Sequence, residues 1–320
     1  MSSPSARQKV LINAVVHPDA ISYLEESGCD AVVLPESDQA GSLREIVSAV
    51  GLVSNASLIL DDAVFRTAPL LKVVGRVGVG YDNVDVAAAA RFGIRVVNTP
   101  LPVIEPVAEH TVLLMLACAR KLIIGDATVR AGRWRGPETM PGPELKGKTL
   151  GLIGFGNTGR RVAEISVLGL GMNASYFDLV ERLEAERTLG ARRRSLDELL
   201  AESDVVSVHV NLSPATRGLM GARAFSLMKP GALFLNLSRG AVVDEEALLA
   251  ALRSGHLGGA GLDVFAMEPP GASNPLLALP NVVVSPHIAG ASLESRRGCS
   301  MVVQDVVRVL RGEPPVHPVG

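Results

Sequence analysis

The sequence predicts an α/β protein of two domains, each built on a parallel β-sheet flanked by helices. Short runs rich in β-branched residues alternate with helical patterns along most of its 320 residues, as they do in parallel sheets. A glycine-rich turn directly follows one of these runs, and a single long apolar pattern interrupts the alternation near residue 105. The first two observations predict the fold class, and the third predicts a domain boundary.

The predicted strands are the short runs rich in β-branched residues, each separated from the next by a helical pattern or a turn. They occupy residues 10–16, 31–34, 58–60, 73–74, 96–97, 149–153, 173–177, 205–208, 232–236, 259–264 and 282–284.

Several helices are predicted from the residues that cap them. Ser195 and Glu198 have the spacing of a capping box. Asp244 precedes an apolar helix that is expected to stop at Gly255. Ser292 opens a last helix that is expected to continue to residue 311.

The domain boundary is predicted from one segment that lacks the alternation. Residues 105–124 are expected to form one long helix, followed by a surface connection over residues 130–148 that is rich in glycine, proline and charge. A new strand then begins, as at the start of an α/β unit. We therefore predict a first domain of residues 1–101, completed by residues 291–320, and a second domain of residues 102–290.

The composition argues against several classes of partner. The chain has 31 lysines and arginines against 33 acidic residues, a net charge of −2. It therefore lacks the basic excess that draws proteins to nucleic acid or anionic lipid. Its longest apolar stretch, residues 111–119, is about half of a membrane span. We expect neither a nucleic-acid nor a membrane partner.

The cysteine pattern predicts the compartment. Cys29, Cys118 and Cys299 are far apart and lack the paired spacing of a zinc site or a disulfide framework. We expect buried, inert thiols and no bound metal. The N-terminal residues also lack the apolar core of a signal peptide, so a cytoplasmic protein is expected.

The segment GFGNTG, residues 154–159, has the glycine spacing of a dinucleotide-binding turn. A predicted strand precedes it and a helical pattern follows, which is the context that this motif requires. Gly154 would form the tight turn, Gly156 would let a pyrophosphate approach, and Gly159 would let the helix pack on the strand. The amides of Asn157 and Thr158 would then point at the phosphates from the positive end of the helix.

Asp178 predicts which dinucleotide is bound. It ends the next predicted strand, about 20 residues past the turn, where an acid accepts hydrogen bonds from the adenosine ribose. A carboxylate there also repels the additional phosphate of NADP, so NAD is the expected cofactor. An ordinary polar residue at a strand end is the alternative, which the spacing disfavours.

Three polar side chains, Arg239, Glu268 and His287, follow predicted strands in the C-terminal half. Reduction of a ketone by hydride transfer needs an acid, a group that keeps the acid charged and aimed, and a cation that grips the substrate. Because ligands bind outside the carboxyl ends of strands in open α/β sheets, the three could converge. Taken singly, each has an ordinary explanation: Arg239 as a surface arginine in a turn, Glu268 as an acid on the side of a helix, and His287 as a loop histidine. His110, in the long apolar helix, is interpreted as a core histidine.

The chain resembles the D-isomer-specific 2-hydroxyacid dehydrogenases over about residues 10–315. The motifs that carry the resemblance keep the order and spacing of that family. They are VGRVGVGYDNVD (74–85), VVNTP (96–100), VAEHTVLLMLACAR (107–120), NLSRGAVVDEE (236–246), GAGLDVFAMEPP (259–270) and SPHIAGAS (285–292).

The resemblance implies a doubly wound Rossmann cofactor domain and a flavodoxin-like substrate domain. The protein would be a homodimer joined through its cofactor domains, partly by the long helix. Its reaction would transfer a hydride between NAD(H) and a 2-hydroxy or 2-keto acid. A corepressor-like protein that senses NAD(H) on the same fold is the alternative.

The resemblance also implies the roles of single residues. His287 would be the acid–base catalyst. Glu268 would hydrogen-bond it and keep its imidazole protonated, and Arg239 would pair with the substrate carboxylate. The amides of Val79 and Gly80 would hold the other carboxylate oxygen. The residues expected to contact the nicotinamide half are Asp263, which would bind the carboxamide, and Leu237, Ser238, Arg239, His287 and Gly290. Val210 stands where several members have threonine, so only backbone contacts with the cofactor are expected there.

The substrate stays open among the 3-phosphoglycerate, hydroxypyruvate and glyoxylate types. Arg76 lies where phosphoglycerate dehydrogenases carry an arginine, and it could meet a substrate phosphate. It could equally be a strand-end arginine paired with a local acid. Residues 102–106 (PVIEP) also differ from the small polar residues that those enzymes tend to have.

Overall fold

The computed structural model describes residues 7–136 and 141–320 of the chain. The strands in this part of the chain are β1 (Gln8–Asn13), β2 (Cys29–Val33), β3 (Gly51–Ser54), β4 (Val73–Arg76), β5 (Arg95–Asn98), β6 (Thr149–Ile153), β7 (Asn173–Phe177), β8 (Arg192–Arg193), β9 (Val205–Val208), β10 (Leu233–Asn236), β11 (Gly259–Leu262), β12 (Val282–Val284) and β13 (Pro318–Val319). The helices are α1 (Pro18–Glu26), α2 (Gln39–Glu45), α3 (Asp62–Thr67), α4 (Val86–Arg91), α5 (Ile104–Ala119), α6 (Leu122–Arg130), α7 (Asn157–Leu170), α8 (Leu183–Leu189), α9 (Leu196–Glu202), α10 (Ala222–Leu227), α11 (Glu245–Arg253), α12 (Leu293–Ser300) and α13 (Val302–Leu310).

The chain divides into two compact units. The first contains the described residues up to Val103 together with Ala291–Gly320, and the second contains Ile104–Gly290. The chain therefore leaves the first unit once and returns to it with α12, α13 and β13. The substrate and cofactor roles that the sequence predicts for the two domains stay predictions at this point.

The first unit is a six-stranded sheet in the order β13-β5-β4-β3-β1-β2. All strands are parallel except β13, which is antiparallel to β5. Leucines and valines alternate between two apolar clusters, one on each face, because successive side chains of a strand point to opposite faces. The order β2-β1-β3-β4-β5 is that of the flavodoxin-like fold, which confirms the predicted fold class.

The second unit is a fully parallel, seven-stranded sheet in the order β12-β11-β10-β9-β6-β7-β8. Helices cover both faces with separate apolar clusters. The chain enters at β6, adds β7 and β8 on one side, and then crosses to β9 on the other. This is the doubly wound Rossmann order, and the crevice between β6 and β9 is its topological switch point.

The third strand of the first unit is Gly51–Ser54, so the predicted strand over residues 58–60 is wrong. Leu58 and Leu60 are buried in the core, but Leu60 forms only an isolated bridge with Val84. The real strand is short and begins with glycine. Its Gly51 leaves room for Val306 of α13, which would lie 3.2 Å from an added Cβ.

The predicted long helix over residues 105–124 is two helices, α5 and α6. Lys121 lies between them in the left-handed region with φ 52°. The apolar pattern continues through Leu122 and Ile123 without a glycine or proline, so nothing in the sequence marks the break. Both side chains are about half exposed, at 54% and 52%.

The last predicted helix is also divided, into α12 and α13. Around Met301 the backbone makes tight i→i+3 hydrogen bonds, from Met301 N to Gly298 O and from Gln304 N to Met301 O. α13 then packs Val302 and Val306 against Gly75 of β4, where an added Cβ would lie 2.7 Å from Val306. The return of the C-terminal segment thus completes the core of the first unit.

The helix caps that the sequence predicts are confirmed. Ser195 and Glu198 form a reciprocal capping box at α9, and the Asp244 side chain accepts from two amides at the start of α11. Ser292 caps α12 in the same reciprocal way, with Ser295. Among the described helices, none is both long and apolar enough to cross a lipid bilayer.

Candidate active site

The glycine-rich turn lies at the switch point of the second unit, between β6 and α7. Gly154 has a φ of +90°, and a Cβ on it would lie 2.6 Å from the carbonyl oxygen of His209, at the end of β9. A Cβ on Gly159 would lie 2.3 Å from the carbonyl oxygen of Gly154. These two glycines are therefore required by close backbone approach. Gly156 has nothing within 4 Å of an added Cβ, so the turn is open on its outer side.

α7 begins directly after this turn. Gly156 is its N-cap residue and offers no side-chain oxygen to the first amides of the helix. The amides of Asn157 and Thr158 belong to this first turn, at the positive end of a 14-residue helix. An anion of the size of a pyrophosphate fits such a cradle without a basic side chain.

Asp178, at the end of β7, is tied to the same turn. One carboxylate oxygen accepts from the Phe155 amide at 2.6 Å, and the other accepts from the Val180 amide at 2.9 Å. The Phe155 ring stacks on Tyr176 with centroids 4.2 Å apart. The carboxylate therefore fixes the conformation of the turn, which is a contact that the sequence did not predict.

His209 supports the turn from β9. Burial lowers the pKa of His209 to about 4, so the ring is neutral at physiological pH. It hydrogen-bonds Ser207 Oγ at 2.8 Å. His209 is a structural histidine of the switch point.

His287 and Glu268 form a direct pair. His287 Nδ1 lies 2.6 Å from Glu268 Oε2, and the other carboxylate oxygen, Oε1, accepts from the Phe265 amide at 3.1 Å. The two side chains are 44% and 36% exposed, so the pair can be reached from solvent. His287 has a left-handed backbone, with φ 54°, which is uncommon for a residue other than glycine.

The charges around Glu268 favour its ionised form. Burial acts to raise the pKa of Glu268, but the hydrogen bonds from His287 and the Phe265 amide oppose this effect. The charges of His287 and Arg239 act in the same direction, and together these contacts hold the pKa of Glu268 below its ordinary value. A carboxylate on Nδ1 stabilises a protonated imidazole and leaves Nε2 for another partner.

Arg239 follows β10 on a turn that Asn236 organises. The Asn236 Oδ1 atom accepts from both the amide and the hydroxyl of Ser238, and its Nδ2 donates to the Arg239 carbonyl. The Arg239 side chain donates from Nη1 to the Ser238 carbonyl at 2.9 Å. Sequence reasoning missed Asn236, although it stands inside the NLSRG motif.

Asp263 follows β11 and is 1% exposed. Its Oδ1 accepts from Ser285 Oγ at 2.6 Å and from the Ile288 amide, and its Oδ2 accepts from the Ala289 amide, both amides at 2.9 Å. The Asp263 carbonyl also accepts from the His287 amide at 2.8 Å. The carboxylate therefore holds the segment that carries His287.

The remaining predicted cofactor contacts lie at the same carboxyl edge of the sheet. Leu237 is 7% exposed, and Val210 follows β9, where its Cγ1 atom would lie 2.9 Å from an added Cβ of Gly154. Gly290 ends the second unit. Their contacts with a nicotinamide stay predictions.

The first unit carries three of the predicted substrate-binding residues, Arg76, Val79 and Gly80, at the carboxyl end of β4. Arg76 is 4% exposed and donates to Asn83 Oδ1 at 3.1 Å and to the Val77 carbonyl at 2.9 Å. Gly78, with φ +104°, donates to Thr99 Oγ1, and Asn98 Nδ2 donates to the Val79 carbonyl. Val79 is 37% exposed.

The loop of residues 77–83 is thus fastened by side chains from β4 and β5. Among the described contacts of the Arg76 guanidinium are two backbone carbonyls and the Asn83 side-chain oxygen. The alternative of a pair with a local acid also stays open. Its predicted contact with a substrate phosphate stays a prediction.

Groups of three or more histidine, cysteine, aspartate or glutamate side chains able to hold a metal do not occur in residues 7–136 and 141–320. Cys29 and Cys299 are buried free thiols, and burial raises the pKa of Cys118 to about 12.

Comparison with known proteins finds the same family throughout. Residues 112–289 match the family model described as the D-isomer specific 2-hydroxyacid dehydrogenase, NAD binding domain. The chain is 43% identical over 322 residues to a glyoxylate reductase of Aeropyrum pernix, covering 97% of this chain and 95% of the relative. It is 39% identical to a D-3-phosphoglycerate dehydrogenase of Archaeoglobus fulgidus, covering 96% of this chain but only 58% of that longer protein.

Among solved structures, the chain is similar to the TT0316 protein of Thermus thermophilus. The two share 40% sequence identity with a TM-score of 0.89, and the match covers 98% of this chain and 100% of the other.

Proposed function

The chain belongs to the D-isomer-specific 2-hydroxyacid dehydrogenases, and on that premise we propose that it interconverts a D-2-hydroxy acid and its 2-keto acid with NAD(H). The observation that carries the proposal is the His287–Glu268 pair, 2.6 Å apart, at the same sheet edge as the glycine-rich turn. An acid–base pair beside a dinucleotide cradle is suited to hydride transfer coupled to proton transfer. The alternative, a protein that only senses NAD(H), is not favoured, because the relatives of the chain are named as reductases and dehydrogenases.

The proposed cofactor contacts begin at the glycine-rich turn. Gly154 and Gly159 permit the turn, and Gly156 with the amides of Asn157 and Thr158 would hold the pyrophosphate. Asp178 would accept from the adenosine ribose through the lone pairs that Phe155 and Val180 leave available. The nicotinamide half would lie against Val210, Leu237, Ser238, Asp263 and Gly290. When bound there, the cofactor supplies or accepts the hydride.

His287 is proposed to be the acid in the direction of reduction. Its Nδ1–H donates to the ionised Glu268, so Nε2–H is the group that can protonate a developing alkoxide. In the direction of oxidation the same Nε2 would accept the hydroxyl proton. Glu268 would hold the His287 ring in this orientation through Nδ1, because its lowered pKa keeps the carboxylate charged.

The substrate carboxylate requires donors. We propose that the Arg239 guanidinium pairs with it and polarises the neighbouring carbonyl, since its planar fork matches a carboxylate. For the first unit we propose that the amides of Val79 and Gly80 donate to a carboxylate oxygen. The contacts of Thr99 and Asn98 with this loop support a fixed backbone there.

The cellular setting is proposed on two further observations. The three cysteines are free thiols, as is usual in a reducing compartment, so we propose a cytoplasmic protein, which cell fractionation would test. We also propose a homodimer. α5, α6 and the segment after them expose apolar side chains that a partner would cover, namely Leu113, Leu116, Leu122, Ile123, Val129 and Trp134.

Replacement of His287 tests the proposed reaction. With NADH and a panel of phosphohydroxypyruvate, hydroxypyruvate, glyoxylate and bulkier 2-keto acids, the wild-type protein should oxidise NADH. His287→Ala should lower kcat by about 10²–10⁴-fold, because the positioned acid is lost. His256→Ala is the control, since the described contact of the His256 side chain is with a backbone carbonyl, that of Phe225. Near-normal turnover by folded His287→Ala would contradict the assignment.

Replacement of Asp178 tests the choice of NAD. Asp178→Ala should raise the Kd for NADH about tenfold or more, because a charged hydrogen bond to the ribose is lost. NADPH should be affected far less, because the repulsive charge disappears as well. Fluorescence titration gives both constants, and Asp197→Ala, at an exposed ion pair with Arg223, is the control. An unchanged ratio of the two constants would count against the ribose contact.

Replacement of Arg76 separates its two possible roles. If Arg76 mainly holds the loop of residues 77–83, Arg76→Ala should lower kcat/KM for all keto acids by a similar factor, about tenfold or more. If it binds a phosphate, only phosphorylated substrates should suffer. Arg95→Ala, at the exposed start of β5, controls for loss of charge. The described contacts of Arg76 lead us to expect the uniform loss.

The oligomeric state is tested by placing charge on α6. Wild-type protein should sediment at twice the mass of one chain. The double variant Leu122→Asp with Ile123→Asp should sediment as a monomer, because two buried charges oppose the apolar contact. Leu179→Asp is the control, since Leu179 is 92% exposed elsewhere on the second unit. A wild-type monomer would refute the proposal.

A further inference from the structure

We propose that His110 is a positioning residue of the active site, which holds His287 in place through Ser285 and Asp263. The inference rests on the proposed function, because it assigns His110 a role in orienting the proposed acid. His110 lies on α5, an apolar helix of the second unit, and is far in sequence from the residues that it contacts.

The contacts form a continuous chain. His110 Nε2 lies 2.8 Å from Ser285 Oγ, and Ser285 Oγ lies 2.6 Å from Asp263 Oδ1. His110 Nε2 is also 3.8 Å from the same Asp263 oxygen. The His110 side chain is 16% exposed and that of Asp263 is 1% exposed, so water competes little for these contacts.

The count of hydrogens along this chain fixes the direction of each bond. Ser285 has one hydroxyl hydrogen, and the nearest acceptor is a buried carboxylate that can only accept when ionised. The hydroxyl therefore donates to Asp263. Ser285 Oγ must then accept from His110, so Nε2 of His110 carries a hydrogen. His110 is therefore the first donor of a chain in which Ser285 accepts from His110 and donates to the buried Asp263.

Asp263 in turn holds the backbone of His287 and of the two residues that follow it. Its two oxygens accept the amides of Ile288 and Ala289, and its carbonyl accepts the amide of His287. His287 has a left-handed backbone, a conformation that costs on the order of 1 kcal/mol or more and persists only where the surroundings impose it. These contacts impose it, and they aim the imidazole at Glu268.

A core histidine would need only some partner for its ring, and many carbonyls would serve. His110 instead donates to a hydroxyl, that of Ser285, which also binds Asp263, the carboxylate that orders the segment of His287. This second function is what distinguishes a positioning residue from a satisfied core residue.

The test compares His110→Leu with His110→Gln. Leucine removes the donor, whereas the glutamine amide retains one at a similar reach. With saturating NADH, His110→Leu should lower kcat for keto-acid reduction about tenfold, the factor that corresponds to one lost hydrogen bond. KM for the keto acid should change less than about twofold, and His110→Gln should recover most of kcat. His256→Leu is the matched histidine control.

A second measurement does not depend on turnover. Hydrogen exchange of the Ile288 and Ala289 amides should be about tenfold faster in His110→Leu than in wild type, because their acceptor is less firmly held. In a Ser285→Ala background, His110→Leu should have no additional effect on exchange or kcat, since the connecting hydroxyl is gone.

The outcomes separate this inference from the proposed reaction. If wild-type protein reduces no keto acid, the proposed function fails, and the exchange measurement still tests the chain of contacts. Unchanged exchange in His110→Leu would overturn the inference, as would faster exchange with unchanged kcat. Equal losses in His110→Leu and His110→Gln, or additive effects with Ser285→Ala, would also overturn it.

Discussion

The candidate active site depends on the fact that parallel strands all end at the same edge of their sheet. In the second unit β6, β10, β11 and β12 are distant in the chain, yet each is followed within a few residues by a group of the candidate site. Both faces of the sheet are covered by apolar clusters, and the polar side chains of this site lie where the strands end. The groups concerned are Gly154, Arg239, Asp263 and His287.

Buried charge then fixes the loops at that edge. An ionised Asp263 without partners would cost several kcal/mol, so the segment that follows β12 must supply donors. It does so through the Ser285 hydroxyl and the amides of Ile288 and Ala289. Glu268 is partly exposed, and it accepts from the Phe265 amide and from His287. The position of the segment that carries His287 therefore follows from the need to satisfy the buried Asp263 carboxylate.

The sequence predicts those features of the fold and the candidate site that depend on residues close together in the chain. The glycine-rich turn, the helix caps and the polar residues after strands are short patterns, and rare residue types mark them. β3 is missed because a buried four-residue strand that begins with glycine has almost no signal of its own. The break at Lys121 and the contact of His110 with Ser285 depend on tertiary packing across long separations in the chain, which no local pattern records.

In the first unit, too, a buried charged side chain at the end of a strand orders the loop that follows, but here the charge is positive. Four buried polar residues lie side by side at the carboxyl ends of four neighbouring strands of its sheet. The positively charged residue among them, Arg76, donates to carbonyl oxygens, whereas Asp263 in the second unit accepts from amides. Arg76 donates to Ser54, Val77 and Asn83, and so orders the loop that carries Val79 and Gly80. A buried guanidinium that donates to backbone carbonyls stabilises the loop, because moving it would leave those carbonyls unsatisfied. The four residues are Asn13, Ser54, Arg76 and Asn98, none more than 8% exposed.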